Sequence, residues 1–154
     1  MMILGIDPGA AGGIALYSNG TMEAYNMPEG FTEIYDFLRE LRNRDITEEV
    51  VAVLEDVGKG IPGQSSKATA TFARHNGHLE MALYALGIRS VKVTPQKWQK
   101  FYSNTIGNSK DKTKTEWKNI LKNEAKRRYP NLKITLATAD AVLIAEYGRL
   151  ADAV

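Results

Sequence analysis

The chain has 154 residues, of which 44% are hydrophobic and 25% are charged, and it contains no cysteine. This composition is ordinary for one globular domain over residues 1–154, and the lack of cysteine excludes disulfides, thiolate metal sites and cysteine nucleophiles. No apolar run approaches the roughly 18 residues of a membrane span, and the apolar start lacks the basic leader of a signal peptide. We therefore expect a soluble, cytoplasmic protein with no membrane partner.

The net charge of +2 hides a strong asymmetry along the chain. Residues 1–88 hold 6 lysines and arginines against 12 acidic residues, a net charge of −6. Residues 89–133, here called the basic segment, hold 13 against 3, a net charge of +10. A cationic block on a nearly neutral chain predicts a polyanionic partner. The alternative is a solvated helix face that is rich in lysine.

The predicted elements, in chain order, are three strands, then helices that alternate with two more strands, then two further helices. Strands are predicted over residues 3–6, 12–17, 22–27, 50–54 and 88–93. Helices are predicted over residues 31–43, 65–86, 110–128 and 136–150, with a further helix that opens at Pro95. Residues 58–63 and 104–108 are predicted loops. This order predicts an α/β fold, with a mixed five-stranded sheet flanked by helices on both faces.

Three carboxylates occupy positions that suit a functional site. Asp7 and Glu55 each stand at the end of a predicted strand, and Asp140 lies on a helix of small residues. Strand ends are where α/β sheets place functional groups, although each residue alone also fits a capping or solvated carboxylate. Together they predict an oxygen-only cluster that suits Mg²⁺ or Mn²⁺. Two such ions can activate water and stabilise the leaving oxygen of a phosphodiester, so the basic segment makes nucleic acid the expected substrate.

Four stretches of the chain carry a resemblance to one family. They are Ile3–Gly9 with Gly12–Ala15, Val53–Val57, Val93–Trp98 with Lys110–Lys112, and Ala139–Ala145. In this order and spacing the chain resembles RuvC-type Holliday-junction resolvases, including RuvC-like nucleases of phages and bacteria, from the first strand to about residue 150. The resemblance implies a single RNase H-like nuclease domain that works in a bacterial or phage-infected cell.

The activity that the resemblance implies is a dimeric endonuclease, dependent on Mg²⁺ or Mn²⁺, that cuts four-way DNA junctions by paired nicks. It makes Asp7, Glu55 and Asp140 catalytic residues and the ligands of two metal ions. It also places a lysine from the stretch 110–114 near the scissile phosphate, for which we choose Lys112. Loop 58–62 falls where the family probes the junction. The expected DNA contacts are Lys59, Ile61, Lys97, Lys100, Lys110, Lys112 and Lys114.

One position departs from the family pattern. The last helix of these enzymes carries two aspartates three residues apart, and here Ala137 stands at the first of them. Residues three apart share a helix face, so an aspartate at position 137 would face the same metal cluster as Asp140. Either Asp56, Glu146 or water takes its place, or the chain is an inactivated variant with weak activity.

The same residues leave two other functions open. One is an RNase H-like nuclease acting on RNA, like the YqgF-like enzymes of ribosomal RNA processing, and the other is a junction-binding protein without catalysis. The predicted helix 65–86 carries Phe72, Leu79 and Leu83, which would serve one face on the sheet and another on the partner of a homodimer. Three aromatic residues at helical spacing are predicted to be core rather than base-stacking residues: Trp98, Phe101 and Trp117.

Overall fold

The computed structural model describes residues 1–58 and 62–154. Its elements are β1 (Met2–Asp7), β2 (Gly13–Ser18), β3 (Thr21–Asn26), α1 (Phe31–Arg42), β4 (Val50–Glu55), α2 (Ser66–Ala85), β5 (Arg89–Val93), α3 (Pro95–Phe101), α4 (Ser103–Ile106), α5 (Lys114–Arg128) and α6 (Ala139–Leu150). Two predicted DNA contacts, Lys59 and Ile61, lie outside the described residues. Among the helices described, none combines the length and apolar character needed to cross a membrane.

The five strands form one mixed sheet in the order β3-β2-β1-β4-β5. β2 pairs antiparallel with both β1 and β3, whereas β4 runs parallel to β1 and β5 runs parallel to β4. Ile6 of β1 stands opposite Leu54 of β4. The next residues, Asp7 and Glu55, therefore lie at the same edge of the sheet. The predicted α/β fold with a mixed five-stranded sheet is confirmed.

Helices cover both faces of the sheet. Leu4 of β1 and Leu54 of β4 belong to the core that α1 and α2 close. Ile3 and Val53, on the same two strands, belong to the opposite core, which α3, α5 and α6 close. Successive strand residues point to opposite faces, so covering both faces requires the nearly continuous apolar runs of these two strands.

Helix α6 lies directly against β1, because Gly5 has no side chain. A Cβ at Gly5 would stand 2.2 Å from the carbonyl oxygen of Ala141 and 2.4 Å from the amide nitrogen of Ala145. Both alanines are fully buried. The small residues that flank Asp140 thus bring its helix onto the strand that ends at Asp7.

Two helices begin later than predicted. α5 begins at Lys114 instead of residue 110, because Thr113 and Glu116 form a capping box that fixes its first turn. α6 begins at Ala139 instead of residue 136, so Ala137 lies in the turn before the helix. A four-residue helix, α4, also replaces most of the predicted loop 104–108.

Two of the three aromatic residues predicted to lie in the core do so, and the third is exposed. Trp98 is fully buried and Trp117 is 9% exposed, as predicted, but Phe101 is 38% exposed. On α2, Leu79 and Leu83 are fully buried in the core beside the sheet. These two leucines therefore serve the sheet face, whereas Phe72 is half-buried, and the use of a second face by a homodimer partner stays a prediction.

Candidate active site

Asp7 is placed by the tight turn between β1 and β2. A Cβ at Gly12 would stand 2.1 Å from the carbonyl oxygen of Asp7, so this turn requires glycine there. The Gly12 N–H donates to the carbonyl of Gly9 at 3.0 Å, and Asp7 pairs with Gly13 in the antiparallel register. The side chain of Asp7 is thereby held at the sheet edge, partly buried.

Glu55 is the last residue of β4 and is 9% exposed. It stands beside Val93 of β5, and the N–H of Asp56 donates to the Val93 carbonyl at 2.8 Å. The indole N–H of Trp98 donates to its Oε2 at 2.6 Å. A buried carboxylate needs such a partner, because burying an uncompensated charge is costly.

Asp140 lies in the first turn of α6. A negative charge there interacts favourably with the positive end of the helix dipole. The contact of α6 with β1 at Gly5 brings this turn to the edge where β1 ends.

The three carboxyl groups share one electrostatic environment. Burial, then the charges of Asp140 and Glu55, raise the pKa of Asp7 from 3.8 to about 8. Burial raises the pKa of Glu55 to about 7, the Trp98 hydrogen bond lowers it, and the charge of Asp140 raises it. Burial raises the pKa of Asp140 to about 6. The predicted trio therefore meets at one site, where negative charge is costly.

A lysine that the sequence did not single out faces this site. Lys118 of α5 lowers the pKa of each of the three carboxyl groups. Lys112, the predicted catalytic lysine, instead donates from Nζ to the carbonyl of Asn108 at 2.8 Å and lies 5.9 Å from the Trp117 ring centre. The catalytic role of Lys112 stays a prediction. The only sequence signal for Lys118 is its place one helical turn after Lys114.

The donor set fits a hard divalent cation, although its ligands do not form a closed cage. The charge of Asp140 raises the pKa values of Asp7 and Glu55, and carboxylates placed this way are the oxygen donors that Mg²⁺ and Mn²⁺ bind. Over residues 1–58 and 62–154, however, no three acidic, histidine or cysteine side chains form a group that could hold a metal ion. The assignment of Asp7, Glu55 and Asp140 as metal ligands therefore stays a prediction.

Position 137 borders the cluster. The carbonyl oxygen of Ala137 would stand 2.7 Å from a Cβ at Gly13, the residue that pairs with Asp7. Ala137 lies in a turn, so the predicted shared helix face with Asp140 is wrong. The turn nevertheless brings residue 137 beside the end of β1. The role of position 137 as the place of a fourth acid stays a prediction.

Neither predicted replacement for that acid affects the pKa values of the trio. Glu146 is 4% exposed and accepts hydrogen bonds from Tyr129 at 2.6 Å and Arg149 at 2.8 Å. It lies six residues after Asp140, on a different face of the helix. Asp56 accepts a hydrogen bond from the Gly58 N–H at 2.9 Å. Glu146 thus joins a separate ion-pair network, and Asp56 caps the start of a loop.

Neither a protein-family model nor a curated protein matches the chain. Among solved structures it is similar to RuvC of Thermus thermophilus, at 18% identity and a TM-score of 0.57, over 98% of this chain and 97% of that one. It is also similar to T. thermophilus RuvC in complex with a Holliday junction substrate, at 16% identity and a TM-score of 0.60, over 97% and 96% of the two chains. The chain has the RuvC fold. At this identity the likeness establishes the fold, and the function has to be argued from the site.

On this RuvC fold, the predicted DNA-contacting lysines that the structure describes share one property. All are exposed, and none forms an ion pair with a described residue. They are Lys97, Lys100, Lys110, Lys112 and Lys114. By contrast, Arg127 and Arg128, at the end of α5, both pair with the buried Glu124. The lysines from α3 to the start of α5 thus carry positive charge that no ion pair with a described residue neutralises.

Proposed function

We propose that this chain is a metal-dependent endonuclease of the crossover-junction type, which resolves four-way junctions and other branched DNA by paired nicks. The observation that carries the proposal is that Asp7 and Glu55 end parallel neighbouring strands at one sheet edge, where the packing of α6 on Gly5 brings Asp140, and the charges of Glu55 and Asp140 raise the pKa of Asp7. Glu55 is buried and Asp7 and Asp140 are partly buried, so a cation that neutralises their charges would stabilise the cluster. Nuclease chemistry on a phosphodiester uses such a site.

The roles of the residues follow from their places. Asp7, Glu55 and Asp140 would hold one or two Mg²⁺ or Mn²⁺ ions, which when bound supply an activated water and stabilise the leaving oxygen. Lys118 adds a positive charge beside the trio, where it would orient and neutralise the scissile phosphate. Lys118 offsets part of the carboxylate charge, so it would lower the repulsion that the phosphate meets there.

The DNA path that we propose runs over α3 and the start of α5. Exposed lysines without ion pairs bind phosphates chiefly through charge and read no sequence. The uncompensated lysines are suited to this role. The loop that contains Lys59 and Ile61 follows directly after Glu55 and Asp56 in the chain, and we keep the proposal that it probes the junction.

The paired nicks require two active sites, so we propose a homodimer with twofold symmetry. The surface that supports it lies between α1 and α2, where Phe31 is 63% exposed, Met81 62% and Tyr84 80%. Phe31 and Met81 line a cavity of about 360 Å³ there. We expect light scattering to give twice the mass of the chain, and Tyr84→Lys to shift it toward the monomer.

The second candidate function is junction binding without cleavage, which Ala137 favours. A chain with three carboxylates in place of four keeps its DNA-binding lysines and loses part of the metal site. We therefore propose weak turnover for the chain as it stands and full turnover with Ala137→Asp.

The test uses a synthetic four-way junction, a linear duplex of the same sequence and a structured RNA. We expect both proteins to bind the junction, and Ala137→Asp to nick it at symmetric positions in Mg²⁺ or Mn²⁺ but not in EDTA. Preferential cleavage of RNA would favour the RNA-processing function. Junction binding with no nicking by either protein would favour the non-catalytic function.

A further inference from the structure

The contact between Trp98 and Glu55 goes beyond what packing requires. The indole nitrogen donates to Glu55 Oε2 at 2.6 Å, and both residues are buried. The indole N–H is a donor without acceptor capacity, and a hydrogen bond this short is typical of an ionised acceptor. Within the described part of the chain, no residue donates a hydrogen bond to the other carboxylate oxygen, Oε1.

The fold fixes this contact from both sides. Glu55 is held by the ladder to Val93, and α3 begins two residues after Val93. The Thr94 side chain accepts from the Lys97 N–H at 3.3 Å, which caps the helix and sets the direction of its first turn. Trp98 is therefore presented to Glu55 by the strand next to the one that carries Glu55.

The same tryptophan is linked to the helix that carries Asp140. Its ring meets Tyr102 edge to face, with ring centres 6.3 Å apart. The Tyr102 hydroxyl donates to the carbonyl of Leu143 in α6 at 2.5 Å. Trp98 thus contacts one acid directly and, through Tyr102, the helix of another.

We propose that Trp98 is a positioning residue for Glu55, holding Oε2 so that Oε1 is presented to the divalent cation. The inference rests on the proposed function. A merely structural role would depend on the packing of the aromatic ring, which phenylalanine keeps in part. The proposed role depends on the N–H, which phenylalanine lacks.

Trp117 provides a matched control. Its indole N–H donates to the side-chain carbonyl of Gln99 at 2.9 Å, outside the carboxylate trio. Trp98→Phe and Trp117→Phe therefore make the same chemical change, one at the site and one beside it. The chain has only two tryptophans, so its proton spectrum holds two indole N–H resonances, which these variants assign.

The first measurement is the affinity for Mn²⁺ in the absence of DNA, determined by electron paramagnetic resonance. The Ala137→Asp chain is the parent protein. We expect Trp98→Phe to weaken binding about tenfold, the usual effect of removing a group that orients a metal ligand, and Trp117→Phe to leave it within twofold. Equal affinities for the two variants overturn the inference. A parent that binds Mn²⁺ but nicks no junction contradicts the proposed function and leaves this comparison valid. A parent that binds no Mn²⁺ overturns both.

The second measurement needs no tryptophan substitution, and so it holds even if Trp98→Phe fails to fold. In the otherwise unaltered chain, Glu55→Gln replaces the charged acceptor with a neutral one. We expect the Trp98 indole resonance to move upfield and the Trp117 resonance to stay. An unmoved Trp98 resonance overturns the inference.

Discussion

The charge of Asp140 acts on Asp7 across the contact between α6 and β1. Burial and this charge, together with that of Glu55, raise the pKa of Asp7 from 3.8 to about 8. A raised pKa in the folded state means that the fold binds this proton more tightly than the unfolded chain does. Stability from this group is fully present below the unfolded pKa and is lost as the pH rises through about 8.

Metal-free protein should therefore lose stability between about pH 4 and pH 8. Each unit of pKa shift corresponds to about 1.4 kcal/mol. We expect Asp7→Asn, which removes the charge and keeps the shape, to raise Tm at pH 8.5, by roughly 2–4 °C for each kcal/mol of repulsion relieved in a domain of this size, and to have no such effect at pH 4. Asp152→Asn, at an exposed position, is the control. Parallel Tm curves for the parent and Asp7→Asn between pH 4 and pH 8.5 would contradict the prediction.

Lys118 should matter for nicking more than Lys112 does. In the Ala137→Asp chain, we expect Lys118→Ala to reduce the single-turnover nicking rate about 100- to 1,000-fold, the scale for one group that stabilises developing charge. Lys126→Ala, an exposed substitution on the same helix, should change it little. If Lys112→Ala reduces the rate and Lys118→Ala does not, the catalytic lysine is the one that the sequence indicated.

The position of a residue could be predicted from the sequence where local contacts fix it, and could not where contacts with distant residues fix it. Asp7 and Glu55 were predictable, because each follows an apolar strand and parallel neighbouring strands end at the same edge. The start of α5 was set by a local signal, the Thr113–Glu116 capping box, which the lysines at 110 and 112 obscured.

The remaining features depend on tertiary packing. Trp98 and Glu55 are 43 residues apart in the chain, and no periodicity reports their hydrogen bond. The approach of Lys118 depends on how α5 packs against α6. Helix α6 begins at Ala139, three residues later than predicted, and helix propensity alone does not indicate this later start.

Gly5 should tolerate no side chain. A Cβ there meets the backbone of α6 at 2.2 Å, so we expect Gly5→Ala to lower the free energy of unfolding by about 1–3 kcal/mol, measured by urea denaturation. Gly77→Ala on α2 is the matched control, because a Cβ there meets nothing within 4 Å. Equal stabilities of the two variants would show that α6 does not pack on β1 as described.

The lysines at the start of α5 should contribute charge without sequence preference. We expect Lys110→Ala combined with Lys112→Ala to weaken binding of four-way and linear DNA alike and to lower the slope of log K against log salt by about 1.8. Arg39→Ala combined with Arg44→Ala removes the same charge from outside the basic segment and should leave the slope unchanged. Equal slopes for the two double variants would assign the lysines to a solvated surface.

The central claim is that the carboxylate trio is a nuclease site one acid short. The measurement is the rate of nicking of a synthetic four-way junction in Mg²⁺ by this chain and by Ala137→Asp, beside a metal-free binding titration of both. We expect Ala137→Asp to nick at least 100-fold faster, the order of effect of losing one strongly acting group. It should bind the junction no more tightly, because an added negative charge repels phosphate. Efficient nicking by the unaltered chain, with no gain from Ala137→Asp, would contradict the claim.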